Sequence, residues 1–319
     1  MDALIIMLRN VLLFVALAIP GYLLVKTGTL KQEQSGALSK LLMYVGMPFL
    51  ILSGTISSLN FGKEFLLLLG AVILIGVVYI FAMFFLSKPL SVTEKNEKTN
   101  GMMRFCSVFA NNGFLGIPLA LAVFGVGSPV VTVLIILNIV TNVLMYTLGV
   151  YLVSGDKSKM SLKKAFLNPV LIAFVIGILL NLIKITNYIP EITTYSDHFK
   201  GLVTPISMTI LGMKMGAIPM KSLFTSKKVY YVSLLRLILF PAAIVAILFA
   251  LRPLLPSLVD EAMILGVFVA FAMPTAGLAS TFADSFDGDT EHAVTMTLGT
   301  TILSILTIPA LYWLICLWL

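Results

Sequence analysis

Residues 109–119 read FANNGFLGIPL, two amides, two glycines and a proline set between long apolar runs. The flanking residues would build an uninterrupted helix, and this stretch spoils it: Gly and Asn are poor in a helix interior, and Pro118 has no amide hydrogen to give. What such a break means depends on the solvent around it.

The 319 residues are 59% hydrophobic and 11% charged, with a mean hydropathy of +1.06. A soluble domain carries about 25% charged residues. Apolar stretches of about 20 residues, each able to cross a hydrocarbon core of about 30 Å, recur along the whole chain. Ten are expected: 4–25, 38–59, 65–86, 103–124, 129–153, 166–186, 201–220, 229–251, 262–283 and 293–318. The chain therefore reads as an all-α integral membrane protein whose polar segments are loop-sized, with no soluble domain. Arg9 inside the first span, without a basic leader before it, suggests a retained helix rather than a cleaved signal. Cys106 and Cys316 fall within spans and read as buried packing residues, not a disulfide pair.

The net charge of +7 would suit a nucleic-acid partner, but its distribution fits topology instead. Fourteen Lys and Arg, Lys221 among them, lie in or beside the loops joining spans 1–2, 3–4, 5–6 and 7–8, against five on the other side. By the positive-inside rule those loops are cytoplasmic, and both termini of a ten-span chain are extracytoplasmic, in the plasma membrane. No nucleic acid is expected as a partner, only lipid and a small solute.

The two halves share a plan. RNVLLFVALAIPGYLLVKTG lies beside LNPVLIAFVIGILLNLIKIT with Gly21 over Gly177; GMPFLILSG, with Pro48, corresponds to TPISMTILG, with Pro205. The opening stretch corresponds to FAMPTAGLAS, with Pro274. Five spans per half make the repeats, 1–155 and 156–319, inverted. Interrupted spans at matching positions of inverted halves point to a transporter's binding site.

A helix broken inside the bilayer leaves unpaired N–H and C=O groups that must be buried in protein or wetted in a cavity. Span 4 would restart near mid-membrane at Asn111, Asn112 and Gly113, and span 9 at Pro274, which suits the first helical position. Two helix N-termini then converge, each with free donors and about half a positive charge, a site for an anion. Asn111 and Asn112 would cap the break or bind the ligand, or else tie neighbouring helices together. Gly113 admits either a close backbone approach or a positive φ. Asn138 is about 14 Å by helical rise from Pro129, at matching depth, with Asn142 a turn further on. Thr275 belongs to the second break; Thr301, with Thr297, Thr300 and Ser304, offers a polar face on span 10 that serves either the site or interhelical bonding. Arg236, deep in span 8, has either a structural or a charge-handling role, Lys214 reads as snorkelling to the cytoplasmic surface, and Arg104 as marking the cytoplasmic mouth.

No Asp or Glu lies centrally in any span, so no mid-membrane carboxylate is available to carry a proton or sodium ion. An anion could leave a cell down the inside-negative potential, worth about 2.3 kcal/mol per charge per 100 mV. An intramembrane enzyme is disfavoured: the spans hold no paired aspartates, Ser/His dyad or HExxH, and no metal or cofactor is expected.

The stretches NNGFLGIPL, QSGALSKLLMYVGMPFLILSG and PTAGLASTFADSFD resemble the auxin efflux carrier family, which includes bacterial malate and malonate permeases and the plant PIN carriers. The resemblance spans essentially the whole chain. It implies a scaffold of spans 1, 2, 6 and 7, a transport unit of spans 3–5 and 8–10 with crossed broken helices, elevator-type motion and a homodimer. It matches Asn111 to the asparagine that contacts the carboxylate of auxin, and Pro274 to the second crossover proline, while Ala110 replaces a plant proline. The function so implied is secondary transport of small carboxylates such as malate, malonate or auxin-like acids; the alternative is a sodium- or proton-coupled symporter of bile-acid-symporter-like architecture.

Overall fold

The computed structural model describes residues 2–58, 63–90, 94–125, 127–217 and 225–319; the end of the seventh expected span at 218–220 and Lys221 lie outside them. Every extended element among the described residues is helical, and seven helices are long and apolar enough to cross a membrane. The chain is a multi-pass integral membrane protein. The longest are α1 (Asp2–Lys26), α4 (Lys63–Leu90) and, at the end of the chain, α17 (Thr290–Cys316). Between the first two run α2 (Ser35–Leu41) and α3 (Met47–Ser58).

Two apolar helical segments are too short to cross alone. The first follows α5 (Glu97–Val108), where the chain leaves the helix at Phe109 and restarts through a wide turn, Asn112–Gly116, into α6 (Ile117–Phe124). The remaining helices of the first half are α7 (Pro129–Leu144) and α8 (Val150–Ser154). The second half continues with α9 (Leu162–Phe166), α10 (Pro169–Leu182), α11 (Glu191–Lys200), α12 (Val203–Ala217), α13 (Lys227–Ser233) and α14 (Phe240–Leu251). Its own break separates α15 (Glu261–Ala272) from α16 (Ala279–Phe286).

Of four wide π-type turns among the described residues, three, Leu42–Gly46, Asn112–Gly116 and Leu234–Leu239, end two residues before a proline, Pro48, Pro118 and Pro241, and the fourth, Met145–Gly149, does not. The cause is local. Proline supplies no N–H and crowds the preceding turn, and widening that turn relieves both defects. The irregularity expected at Pro118 is thus absorbed in the turn before it.

Small residues set the closest helix contacts. A Cβ on Gly212 of α12 would run into the carbonyl of Ala18 on α1, and one on Gly21 into the carbonyl of Thr209. Likewise a Cβ on Gly177 of α10 would come within 2.7 Å of Thr55 on α3. Without a hydrophobic drive between helices in lipid, such backbone approach carries the packing. So α1 lies along α12 and α3 along α10, while α7 packs between α4 and α15. The 129–154 span is 67% buried and the first only 22%, which puts the former at the centre and the latter at the lipid-facing edge. Cys106 is buried as expected; Cys316, at the end of α17, is exposed on the outer surface instead.

Candidate functional site

The two breaks meet. Ala110 and Thr275 form a single antiparallel bridge, with Asn111 N–H donating to Pro274 O (2.7 Å) and Ala276 N–H to Phe109 O (2.9 Å). Each interrupted segment thereby satisfies backbone groups of the other, as the bilayer requires. Pro274 does not begin the second half-helix. Its neighbour Met273 is extended (ψ 150°), as a residue before proline prefers, and α16 starts only at Ala279.

On one side of the crossing the first half-helices end. Arg236, fully buried, donates to Ser107 O (3.3 Å), Val108 O (2.9 Å), Met273 O (3.1 Å) and Phe271 O, the terminal carbonyls of both α5 and α15. A guanidinium, with five donors and a fixed positive charge, suits two converging C-termini. Thr275 completes this side: its hydroxyl donates to Cys106 O (2.9 Å) and its N–H to the hydroxyl of Thr300 (3.1 Å). Arg104 ties α5 to the end of α4, through Ser87 Oγ (3.2 Å) and Phe84 O (3.1 Å).

On the other side lies a small cavity, partly open to solvent. Residues 110–114 and 276–278 of the two crossovers form its wall, with Asn138, Asn142 and Met145, Met43 and Met47, and Asn168 and Val170. Among the described residues no charged side chain lines it. The amides of Asn112, Gly113 and Phe114, at the start of a helix, have no intrahelical acceptor. Asn111 caps through its carbonyl, which accepts from Leu115 and Gly116, and its side chain makes no capping bond. Gly113 is required for space, not for a positive φ: a Cβ there would lie 2.7 Å from Asn138 Nδ2.

The amides behind this wall form a directed chain. Thr141 gives its hydroxyl hydrogen to Leu137 O (2.7 Å), so it accepts from Asn112 Nδ2 (2.9 Å); Asn112 Oδ1 then accepts from Asn138 Nδ2 (2.9 Å). Asn138 Oδ1 is left buried and unpaired. Asn142 Nδ2 donates back to Asn138 O (2.8 Å). Asn168, whose Oδ1 caps α10 through Val170 N–H (2.8 Å), has Nδ2 buried without an acceptor.

Lys214 does not snorkel. It is 7% exposed, and its Nζ donates to Gly277 O (3.0 Å), in the cavity wall, and to Ser280 Oγ (3.0 Å). Among the described residues it has no ion-pair partner. The structure thus gathers Asn111, Asn112, Gly113, Asn138 and Asn142 around one cavity. Pro274 and Thr275 are absorbed in the crossing, and Thr301 faces a separate small cavity with Val11 and Phe14, its hydroxyl on Thr297 O (2.6 Å). Residue-by-residue reading missed Asn168, although Asn before Pro is a helix-start signal. A larger groove of about 910 Å³, lined by Val245, Phe249, Leu311 and their neighbours, is almost wholly apolar and offers no converging polar groups.

Outside the membrane-spanning segments, Lys228–Glu94 (2.5 Å) and Lys98–Asp287 (2.6 Å) ion pairs join the starts of α13 and α5 to neighbouring loops. The bond from Lys228 and the Asn96 amide hold the Glu94 carboxyl below its usual range. Burial alone would raise Asp289, but the Thr99 hydroxyl, the His292 amide and the His292 ring outweigh it and lower it.

The chain matches the family model described as "Membrane transport protein" twice, over residues 5–160 and 156–312. It is 26% identical over 311 residues to an uncharacterized transporter of Methanothermobacter thermautotrophicus, covering 94% of this chain and 96% of that one. A second uncharacterized transporter, from Methanocaldococcus jannaschii, is 29% identical over 213 residues, 64% of this chain and 68% of its own. With a family match across nearly its whole length, the chain belongs to the membrane transport protein family, the auxin efflux carrier family that its motifs resemble.

Proposed function

We propose that this transporter is a secondary carrier of small organic anions, carboxylates above all, in the plasma membrane. The observation that carries the reading is an electrostatic imbalance at the crossing. Arg236 offsets the two C-terminal helix ends on one side, whereas on the other free helix-start amides and a buried lysine, which has no ion pair among the described residues and feels Asp284 only at longer range, flank a cavity with no charged side chain among its described lining residues. A buried charge compensated only at a distance is costly, and an anionic ligand supplies closer compensation. Asn111, Asn112 and Gly113 hold the carboxylate; Asn138 and Asn142 line its other side; Pro274 and Thr275 fix the crossing rather than touch the solute. Thr301 serves the packing of span 10.

The ten spans are the seven long helices, the two broken ones and α12, in two inverted five-helix repeats, 1–155 and 156–319. The two tandem matches to the family model support this count. The close pairs α1–α12 and α3–α10 support a scaffold of spans 1, 2, 6 and 7 and a transport unit of spans 3–5 and 8–10. The transport unit then moves past the scaffold as an elevator, and the scaffold faces of two copies form a homodimer. With the basic loops inside and both termini outside, Met145 and Asn168 lie toward the cytoplasm from Asn111, and the cavity is inward-facing.

The test is uptake of labelled carboxylates into proteoliposomes under an imposed potential. Asn111→Ala is expected to cut uptake about tenfold, the worth of one charge-assisted hydrogen bond. Unchanged uptake would remove Asn111 from the site. Replacing sodium by choline, and separately abolishing the proton gradient with a protonophore while the potential is held, separates a uniporter from the sodium- or proton-coupled symporter alternative, which requires uptake to collapse in one of the two.

A further inference from the structure

Two buried polar atoms in the cavity wall point beyond the anion cradle. Asn138 Oδ1 is an acceptor and Asn168 Nδ2 a donor; both residues are only 2% exposed, and neither atom has a partner among the described residues. Their orientations are not interchangeable. The chain running from Leu137 O through Thr141 and Asn112 fixes Asn138 with its oxygen free, and the cap on Val170 N–H fixes Asn168 with its nitrogen free. A backbone carboxylate cradle cannot use an additional oxygen acceptor, because a carboxylate has only acceptors to offer. Asn138 Oδ1 therefore asks for a hydrogen-bond donor on the ligand, close to the break, since Asn138 packs directly on Gly113.

Charge limits the ligand as well. Among the described residues Lys214, which reaches the wall through Gly277 O, is the one cation bonded to the crossover on the cavity side, and Arg236 is already committed to four carbonyls on the opposite side. A single negative charge balances one lysine; a second would be desolvated without a counter-ion.

We infer that Asn138 and Asn168 form a second subsite, beside the carboxylate cradle, that reads a hydroxyl group on a singly charged carboxylic acid. Asn138 Oδ1 accepts the hydroxyl hydrogen. Asn168 Nδ2, from the opposite half of the chain, donates to an oxygen of the same ligand. This rests on the anion reading above and makes Asn168 a specificity-determining residue.

The experiment compares matched pairs on the purified full-length protein by ligand-dependent thermal shift and by competition for uptake: lactate against propionate, and 3-hydroxybutyrate against butyrate. The hydroxy acid of at least one pair is expected to bind roughly tenfold more tightly than its parent, because the parent leaves a buried acceptor unpaired. Asn168→Ser keeps a capping oxygen and removes the amide donor, and is expected to bring that ratio close to one. Asn168→Asp keeps the cap, adds a negative charge and is expected to weaken every anion. The unliganded melting temperature of each variant reports whether the fold survives. Equal affinity within both pairs overturns the second subsite while leaving the carboxylate cradle standing. A ratio that persists in a folded Asn168→Ser removes Asn168 from it, and affinity for the parent acids that requires sodium assigns Asn138 Oδ1 to a cation instead. If none of the four acids binds, the anion reading falls, and the subsite with it.

Discussion

The two sides of the crossing are built from the same kind of material and finished differently. Where α5 and α15 end, one guanidinium and two threonines answer the exposed carbonyls and amides. Where the chain restarts, helix-start amides, an asparagine oxygen, an asparagine nitrogen and a lysine without an ion pair are left over among the described residues. A buried polar group in a membrane protein is normally satisfied, so the asymmetry separates the part of the crossing that holds the fold from the part proposed to meet the solute.

Substitutions break this contrast unequally. Arg236→Met is expected to have the largest effect, leaving terminal carbonyls of two helices without donors at about 1–3 kcal/mol for each buried group. Loss of monodisperse protein, or a melting temperature lowered by roughly 10 °C or more, checks it by size-exclusion chromatography and thermal unfolding. Lys214→Met should do the reverse. Removing a buried charge without an ionic partner leaves the unliganded melting temperature near or above its starting value, while anion affinity falls at least roughly tenfold. A folded Lys214→Met that binds carboxylates normally would contradict the electrostatic argument.

Thr300→Val tests the finished side more gently. It strips Thr275 N–H of its acceptor and should cost about 1–2 kcal/mol, read as a shift in the unfolding midpoint. The smallest effect is at the ion-paired helix ends outside the membrane-spanning segments. Glu94 and Asp289 have lowered folded-state pKa values, so their contribution is fully present above the ordinary carboxylate range and is lost as pH falls through the lowered folded values. The melting temperature should therefore hold level from pH 7 to about 5 and drop below about 4, with Asp289→Asn showing a shallower drop.

Much of this was legible in the residues. The apolar periods give the membrane class, and FANNGFLGIPL marks the first break because amides, glycine and proline all weaken the same helix. The second break was legible in position but not in conformation. Proline's fixed φ suits a helix start and an extended strand equally, and what decides is the bridge to Ala110, a residue of the other half. Lys214 misled for a related reason. Its depth is compatible with snorkelling, and the carbonyl that captures it is free only because span 9 is interrupted. Asn138 and Asn142 were found by depth and helical face; Thr301 satisfied the same criteria, but its hydroxyl turns back onto its own helix. Asn168 escaped notice because its cap role is local and its unpaired nitrogen exists only in three dimensions.

The bridge between Ala110 and Thr275 also sets an order for biogenesis. Asn111 N–H has its acceptor on Pro274, 163 positions later in the chain. At about 5–20 residues per second, ribosomes deliver the first break to the membrane roughly 8–30 s before its partner exists. For that interval the first half must shelter open backbone at mid-depth by some other means, inside the insertion machinery or as a temporarily continuous helix. Completion of the second interrupted segment, rather than insertion of the first, is then the moment at which the crossing can form.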